Sequence, residues 1–105
     1  GHLGSGQVDG VGEVRRFDPV GDNRLLEIRA PAALARYIAR KGSITVDGVS
    51  LTTNSVDGAA FSINLIPHTL DATTLGRLQP GSRVNLEIDL IARYCEQLLG
   101  VSNGV

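Results

Sequence analysis

The sequence predicts an all-β domain: a small antiparallel Greek-key barrel, roughly six-stranded, with short capping helices and a C-terminal helix. Three observations carry that expectation. Apolar and polar residues alternate in short runs separated by turn residues. Two of these runs flank Asp47-Gly48, a dipeptide suited to a type I′ turn because both residues tolerate positive φ. After Asp89 the apolar period changes from that of a strand to that of a helix.

Gly1–Gly6 (GHLGSG) has the look of a cloning remnant and carries little structural weight. Gln7–Phe17 reads as a strand with Val8, Gly10, Gly12 and Val14 on one face, where small residues suit a sharp bend or a close backbone approach. Gly10 and Gly12 make no dinucleotide fingerprint, since the third glycine and the following helix are missing. Asp18–Asn23 is a turn cluster and Arg24–Arg29 a short strand. Pro31 suits a first helical position, followed by Leu34, Tyr37 and Ile38 at helical spacing, and Gly42 is a stop.

The stretch Lys41–Thr53 (KGSITVDGVSLTT) is the centre of the chain. A two-residue turn at Asp47-Gly48 sets Val46 opposite Val49, Thr45 opposite Ser50, Ile44 opposite Leu51 and Ser43 opposite Thr52. One face is then branched aliphatic and belongs in a core. The other carries four hydroxyls, at Ser43, Thr45, Ser50 and Thr52, and suits either water or a ligand rich in hydrogen-bonding groups.

Asn54–Gly58 reads as a turn, and Ala60–Leu65 alternates as a half-buried strand. Pro67 breaks it and opens a single helical turn bearing Thr69, Leu70 and Thr73. Leu78–Gly81 is a turn and Arg83–Ile88 the last strand. Asp89 is a good N-cap for a helix to Leu99, whose apolar stripe is Leu90, Ile91, Tyr94, Cys95, Leu98 and Leu99. That stripe must be buried on the same barrel or on another chain. Self-association as a dimer or trimer is the expectation.

Composition narrows the field. The 105 residues are expected to form one domain, 1–105, with a single core. A net charge of −1, from 10 basic and 11 acidic residues without runs, argues against nucleic acid as a partner. No apolar stretch reaches the length of a membrane span. Cys95 is alone, so no disulfide framework is expected, and a reducing cytoplasm is the default location. His2, His68 and Cys95 show no metal-ligand spacing, and neither a Ser-His-Asp arrangement nor a phosphate loop is present. What remains is a barrel mouth with hydroxyls, one lysine (Lys41) and one carboxylate (Asp89).

Four stretches in order, SGQVDGVGEV (5–14), KGSITVDGVSLT (41–52), LIPHTLDATTLG (65–76) and GSRVNLEID (81–89), resemble the lumazine-binding barrel of riboflavin synthase over nearly the whole chain. The resemblance implies dismutation of two 6,7-dimethyl-8-ribityllumazine molecules. A four-carbon unit passes from one to the other, giving riboflavin and 5-amino-6-ribitylaminouracil. No metal or redox cofactor is required, and riboflavin or the ribityllumazine is the implied bound ligand. Family chains hold two such barrels, and a site forms where barrels of different chains face each other. VNLEID and the serine of DGVSLT resemble the second barrel, since the first usually has cysteine at the position of Ser50.

Carried over by resemblance, Ser50 and Thr52 contact the pteridine or act near its reacting carbons, and Lys41 lies at the ribityl side. Ile66, Pro67 and Thr69 line the ring, Val8 packs on its face, and Asp89 orients polar groups or moves a proton while also serving as an N-cap. The family motif SGHVDG is here SGQVDG, so Gln7 stands where an acid–base histidine is usual, and glutamine cannot shuttle a proton near neutral pH. Gly4 likewise replaces an aliphatic residue. Weak or absent turnover by the isolated barrel is therefore expected. The competing readings are a non-catalytic flavin- or lumazine-binding module, in the manner of the family's fluorescent lumazine proteins, and an engineered or truncated scaffold.

Overall fold

A computed structural model describes residues 8–89. Of the expected C-terminal helix over 89–99 only Asp89 is described; its remaining residues, 90–99, and the site residue Gln7 lie outside the described residues. The elements are β1 (Gly10–Val20), β2 (Asn23–Arg29), α1 (Ala32–Ala35), β3 (Ser43–Val46), β4 (Val49–Thr52), β5 (Ser55–Asp57), β6 (Ala60–Leu65), α2 (Pro67–Ala72), a 3-10 turn at Thr74–Arg77, and β7 (Arg83–Ile88). All strand pairs are antiparallel, in one 7-stranded sheet of order β4-β3-β7-β1-β2-β6-β5. The last strand, β7, returns between β3 and β1, which is the long-range connection of a Greek key.

The two edge strands, β4 and β5, are consecutive in the chain and separated only by Thr53-Asn54. At that step neighbouring amides turn to opposite sides. Thr53 N donates to Gly42 O at 2.9 Å, just before β3, and Asn54 N donates to Ser62 O at 2.7 Å in β6. The two ends of the sheet are thus stitched together by one bent segment, and the sheet curls toward a barrel.

The expected count of about six strands becomes seven because Ser55–Asp57, expected within a turn, pairs with Ala60–Ser62. Its turn is the shorter Gly58-Ala59 link, with Gly58 at φ 62. β1 also runs on through Asp18 and Pro19 to Val20, with the turn narrowed to Gly21-Asp22. Pro19 is tolerated there because the β7 ladder ends at Glu13 and only β2 pairs with this part of the strand. α1 covers four residues, with Pro31 as N-cap rather than first helical residue. Beyond it Tyr37 N and Ile38 N bond three residues back, to Leu34 O and Ala35 O. That tighter winding still delivers Leu34 and Ile38 to the core.

The central hairpin has the register that its turn dictates: Ser43↔Thr52, Ile44↔Leu51, Thr45↔Ser50 and Val46↔Val49. Asp47 and Gly48 have φ of 47 and 83, as a type I′ turn requires. Asp47 also reaches across to β7, its amide donating to Asn85 O at 2.9 Å and its Oδ1 accepting from Asn85 N at 2.7 Å. Ile44 and Val46 sit in a core with Val14, Leu26, Ile28, Leu34, Phe61, Ile63, Leu65, Leu75, Val84, Leu86 and Ile88.

Two backbone positions are under tension of opposite kinds. Gly12 lies where β1 passes from β7 to β2; a Cβ there would meet Ile28 Cγ2 at 2.7 Å and Leu86 Cδ1 at 2.9 Å. Gly12→Ala is expected to destabilise the fold by about 1–3 kcal/mol through overpacking, read as a lower urea midpoint at unchanged slope. Lys41, in contrast, holds a left-handed φ of 68 with a full side chain. That conformation costs a non-glycine residue about 1–2 kcal/mol, whereas glycine would add about 0.5–1 kcal/mol of unfolded-state freedom. Lys41→Gly should therefore raise stability by about 0.5–1 kcal/mol, and a lower urea midpoint would contradict it.

Candidate functional site

The hydroxyl face of the hairpin points away from the core, because its aliphatic face fills the inside. Ser43, Ser50 and Thr52 are exposed and Thr45 half-buried, while Ile44 and Val46 on the other side are 2% and 0% exposed. Barrel closure therefore puts the hydroxyls on the outer surface, not in the open barrel mouth that the sequence suggested.

Sheet register and the backbone bonds beside it bring Asp89, Val8 and Lys41 to this face. Thr45 stands opposite both Ser50 and Glu87, giving one cross-strand row. Ser43 and Thr52 form the next row, and because Ile44 pairs with Ile88, Asp89 comes level with Ser43. Asp9 anchors the start of β1 on the same end of β7: its amide donates to Leu86 O at 2.8 Å and its Oδ2 accepts from Ile88 N at 2.7 Å. The carboxylate thereby takes the place of a missing strand carbonyl. It brings Val8, 48% exposed, to the Ile88–Asp89 end of the sheet.

Lys41 precedes β3, and its amide donates to Thr53 O at 2.9 Å, so it sits beside the end of β4 that carries Thr52. The side chains of Lys41, Ser50 and Thr52 make no hydrogen bond or ion pair with another described residue. At the other edge, β6 runs on past its β5 ladder through Ile63 to Leu65, paired there with β2. Ile66, 50% exposed, and Pro67 at the start of α2 follow at once. Thr69 is half-buried, and its carbonyl accepts from the Thr73 hydroxyl at 2.7 Å and from the Thr73 amide at 3.2 Å. Thr73 Oγ1 in turn accepts from Leu75 N at 3.2 Å, so one threonine ends α2 and starts the 3-10 turn that buries Leu75.

The result is an outer surface with a hydroxyl strip, Asp89 and the exposed Val8 at its Ser43–Thr52 end and Lys41 flanking it, whereas no strand register joins Ile66, Pro67 and Thr69 to it. Such a surface can hold a flat heterocycle by one face and hydrogen-bond a polyol chain beside it. Among the described residues no cluster of His, Cys, Asp and Glu is placed to hold a metal ion. None of the described helices is long and apolar enough to cross a membrane. A separate cleft of about 370 Å³ opens between Gly12–Glu13, Arg29–Pro31 and Arg83, and none of the residues above lines it. Sequence reasoning missed two residues that shape the surface, Asp9 and Thr53. Thr53 had a readable signal: it continues the hairpin alternation inward, so a polar group falls at a core position.

Residues 5–89 match the family model of the lumazine binding domain. The riboflavin synthase of Photobacterium phosphoreum is 46% identical over 99 residues, covering 94% of this chain and 45% of that protein. The riboflavin synthase of Brucella abortus is 46% identical over 98 residues, covering 93% and 48%. The chain thus spans about half the length of the relatives it matches. Among solved structures, LumP complexed with 6,7-dimethyl-8-(1'-D-ribityl) lumazine superposes with a TM-score of 0.78 at 28% identity, over 81% of this chain and 48% of that one. LumP complexed with riboflavin gives 0.77 at 28% identity, over 85% and 51%. With its motifs, its curled sheet and this match in agreement, the chain belongs to the lumazine-binding domain family.

Proposed function

We propose that this chain is the second barrel of a riboflavin synthase, a single domain over residues 1–105 that holds one ribityllumazine or riboflavin on its outer surface. One observation carries the reading: the lumazine-binding match spans the described barrel, and neighbours of the same fold hold ribityllumazine, flavin mononucleotide and riboflavin. In this reading Val8, Ile66 and Pro67 receive the ring, with Thr69 fixing the backbone turn behind it. Ser50 and Thr52 hydrogen-bond the pteridine, Lys41 meets the ribityl chain, and Asp89 orients the polar end.

The openness of the surface bears on mechanism. A heterocycle lying on it has one face against protein and the other toward solvent, and burial of a single face leaves much of its apolar area wet. A second barrel bearing a second lumazine would cover that face and also supply the reacting partner. The four-carbon transfer needs both molecules in stacked contact, which is catalysis by proximity before any proton moves. Self-association as a dimer or trimer, or pairing with a first barrel of the full-length enzyme, follows from this requirement. The lone Cys95 fits a cytoplasmic location.

Gln7 favours a second reading, a module that binds the ligand without turning it over. A positioned acid–base group contributes about 10²- to 10⁴-fold to rate, and glutamine supplies none of it. The chain is expected to bind riboflavin and ribityllumazine, detected by fluorescence titration, yet to form riboflavin far more slowly than a two-barrel enzyme. Gln7→His should recover part of the rate, measured as riboflavin absorbance appearing from the ribityllumazine. Full turnover by the unmodified chain would sink the argument about Gln7 and the missing barrel. Ser50→Val combined with Thr52→Val removes up to two hydrogen bonds, each worth about 0.5–1.5 kcal/mol. Riboflavin affinity should then fall by roughly tenfold with the far-ultraviolet circular dichroism unchanged, and undiminished affinity would move the site off this hairpin.

A further inference from the structure

Thr53 is a polar side chain at a core position, 1% exposed. Its hydroxyl donates to the carbonyl of Ala39 and lies 3.2 Å from that of Gly42. Its backbone engages the same loop twice more, the amide donating to Gly42 O at 2.9 Å and the carbonyl accepting from Lys41 N at 2.9 Å. Gly42 N also closes on Ala39 O at 2.9 Å. All of these bonds converge on Ala39–Gly42, the segment that contains the left-handed Lys41, φ 68. A residue in that conformation relaxes unless its surroundings over-determine it. The backbone bonds of Thr53 reach only Lys41 and Gly42, and its hydroxyl adds a tie from the same strand to Ala39, on the far side of Lys41.

The other end of the same residue is equally placed. Thr53 directly follows Thr52 and directly precedes Asn54, whose amide bonds β6. One buried side chain therefore links the lysine loop to the strand carrying the outward hydroxyls. Neither a solvated loop nor a simple hairpin end requires a threonine there, since valine has nearly the same shape and the same strand propensity.

We propose that Thr53 is a positioning residue: its buried hydroxyl holds the Ala39–Gly42 loop so that the Lys41 ammonium is presented to the polyol chain of the bound ligand. This rests on the ligand reading given above, and it adds a division of labour. The ring is held by the outer face, whereas discrimination for a ribityl substituent depends on a residue that never touches ligand.

The test compares riboflavin with lumiflavin, which has the same ring system but no ribityl chain, by fluorescence titration of the full chain. Thr53→Val should weaken riboflavin by about tenfold and leave lumiflavin within about twofold. Thr53→Ser, which keeps the hydroxyl, should restore riboflavin binding. Lys41→Ala should produce the same selective loss, and Thr53→Val added to Lys41→Ala should cost nothing further, since both act through one ammonium. Should Thr53→Val not fold, Thr53→Cys, a weak donor of similar bulk, is measured in the same way. Equal losses for both ligands, unchanged riboflavin affinity, or additive losses in the double variant overturn the positioning role. Failure of the unmodified chain to bind either ligand overturns the ligand reading instead.

Discussion

The joining of the sheet's two edges depends on the step from Thr53 to Asn54. An open antiparallel sheet leaves unpaired amides and carbonyls at both edges. Here the two edge strands are one continuous segment, and its successive amides bond Gly42 on one flank and Ser62 on the other. The alternation that sends side chains to opposite faces also sends peptide groups to opposite sides of a strand. A single extended segment can therefore serve two ladders if it bends between them. Thr53 is the bend residue, and its inward hydroxyl finds carbonyl partners on the loop before β3, so the bend buries no orphan polar group.

A second bend answers the first. β1 pairs with β7 through Gly10–Glu13 and with β2 from Glu13 onward, so it too serves two ladders in succession. Gly12 supplies the close approach there, and the register slips between Val14 and Arg16, a bulge that adds twist. Glycine and bulge curl one side of the sheet, and the threonine step joins its edges on the other. Between them lies an aliphatic core with one aromatic residue, Phe61.

Legibility followed the range of the interactions. The hairpin register was readable because a two-residue turn leaves no freedom, and Ile44, Val46, Ser50 and Thr52 all lie on the faces that the register assigns. The strand Ser55–Asp57 was not readable: three residues with one apolar member look like a turn until β6 is beside them. Asp18 and Pro19 read as breakers, yet a strand with only one ladder partner at that point tolerates both. That the hydroxyls face away from the core was readable from the aliphatic side of the hairpin, but where they stand relative to the barrel opening depends on how the sheet curls, which no single strand encodes.

The arrangement separates stability from recognition along a physical boundary. Residues that must be rigid, from Val14 to Ile88, face inward, where close packing fixes their rotamers. The residues proposed to meet the ligand stand on the outer side, where Val8 and Ile66 are exposed and Lys41 holds a left-handed backbone. Scattered exposed aliphatics need no explanation by themselves. Here, though, Val8 stands near the Ser43–Thr52 end of a hydroxyl strip, and a polar side chain buried in the core secures the loop beside it. The same hairpin thus does two jobs at once: its aliphatic side closes the core, and its hydroxyls at Ser43, Ser50 and Thr52 are left in solvent.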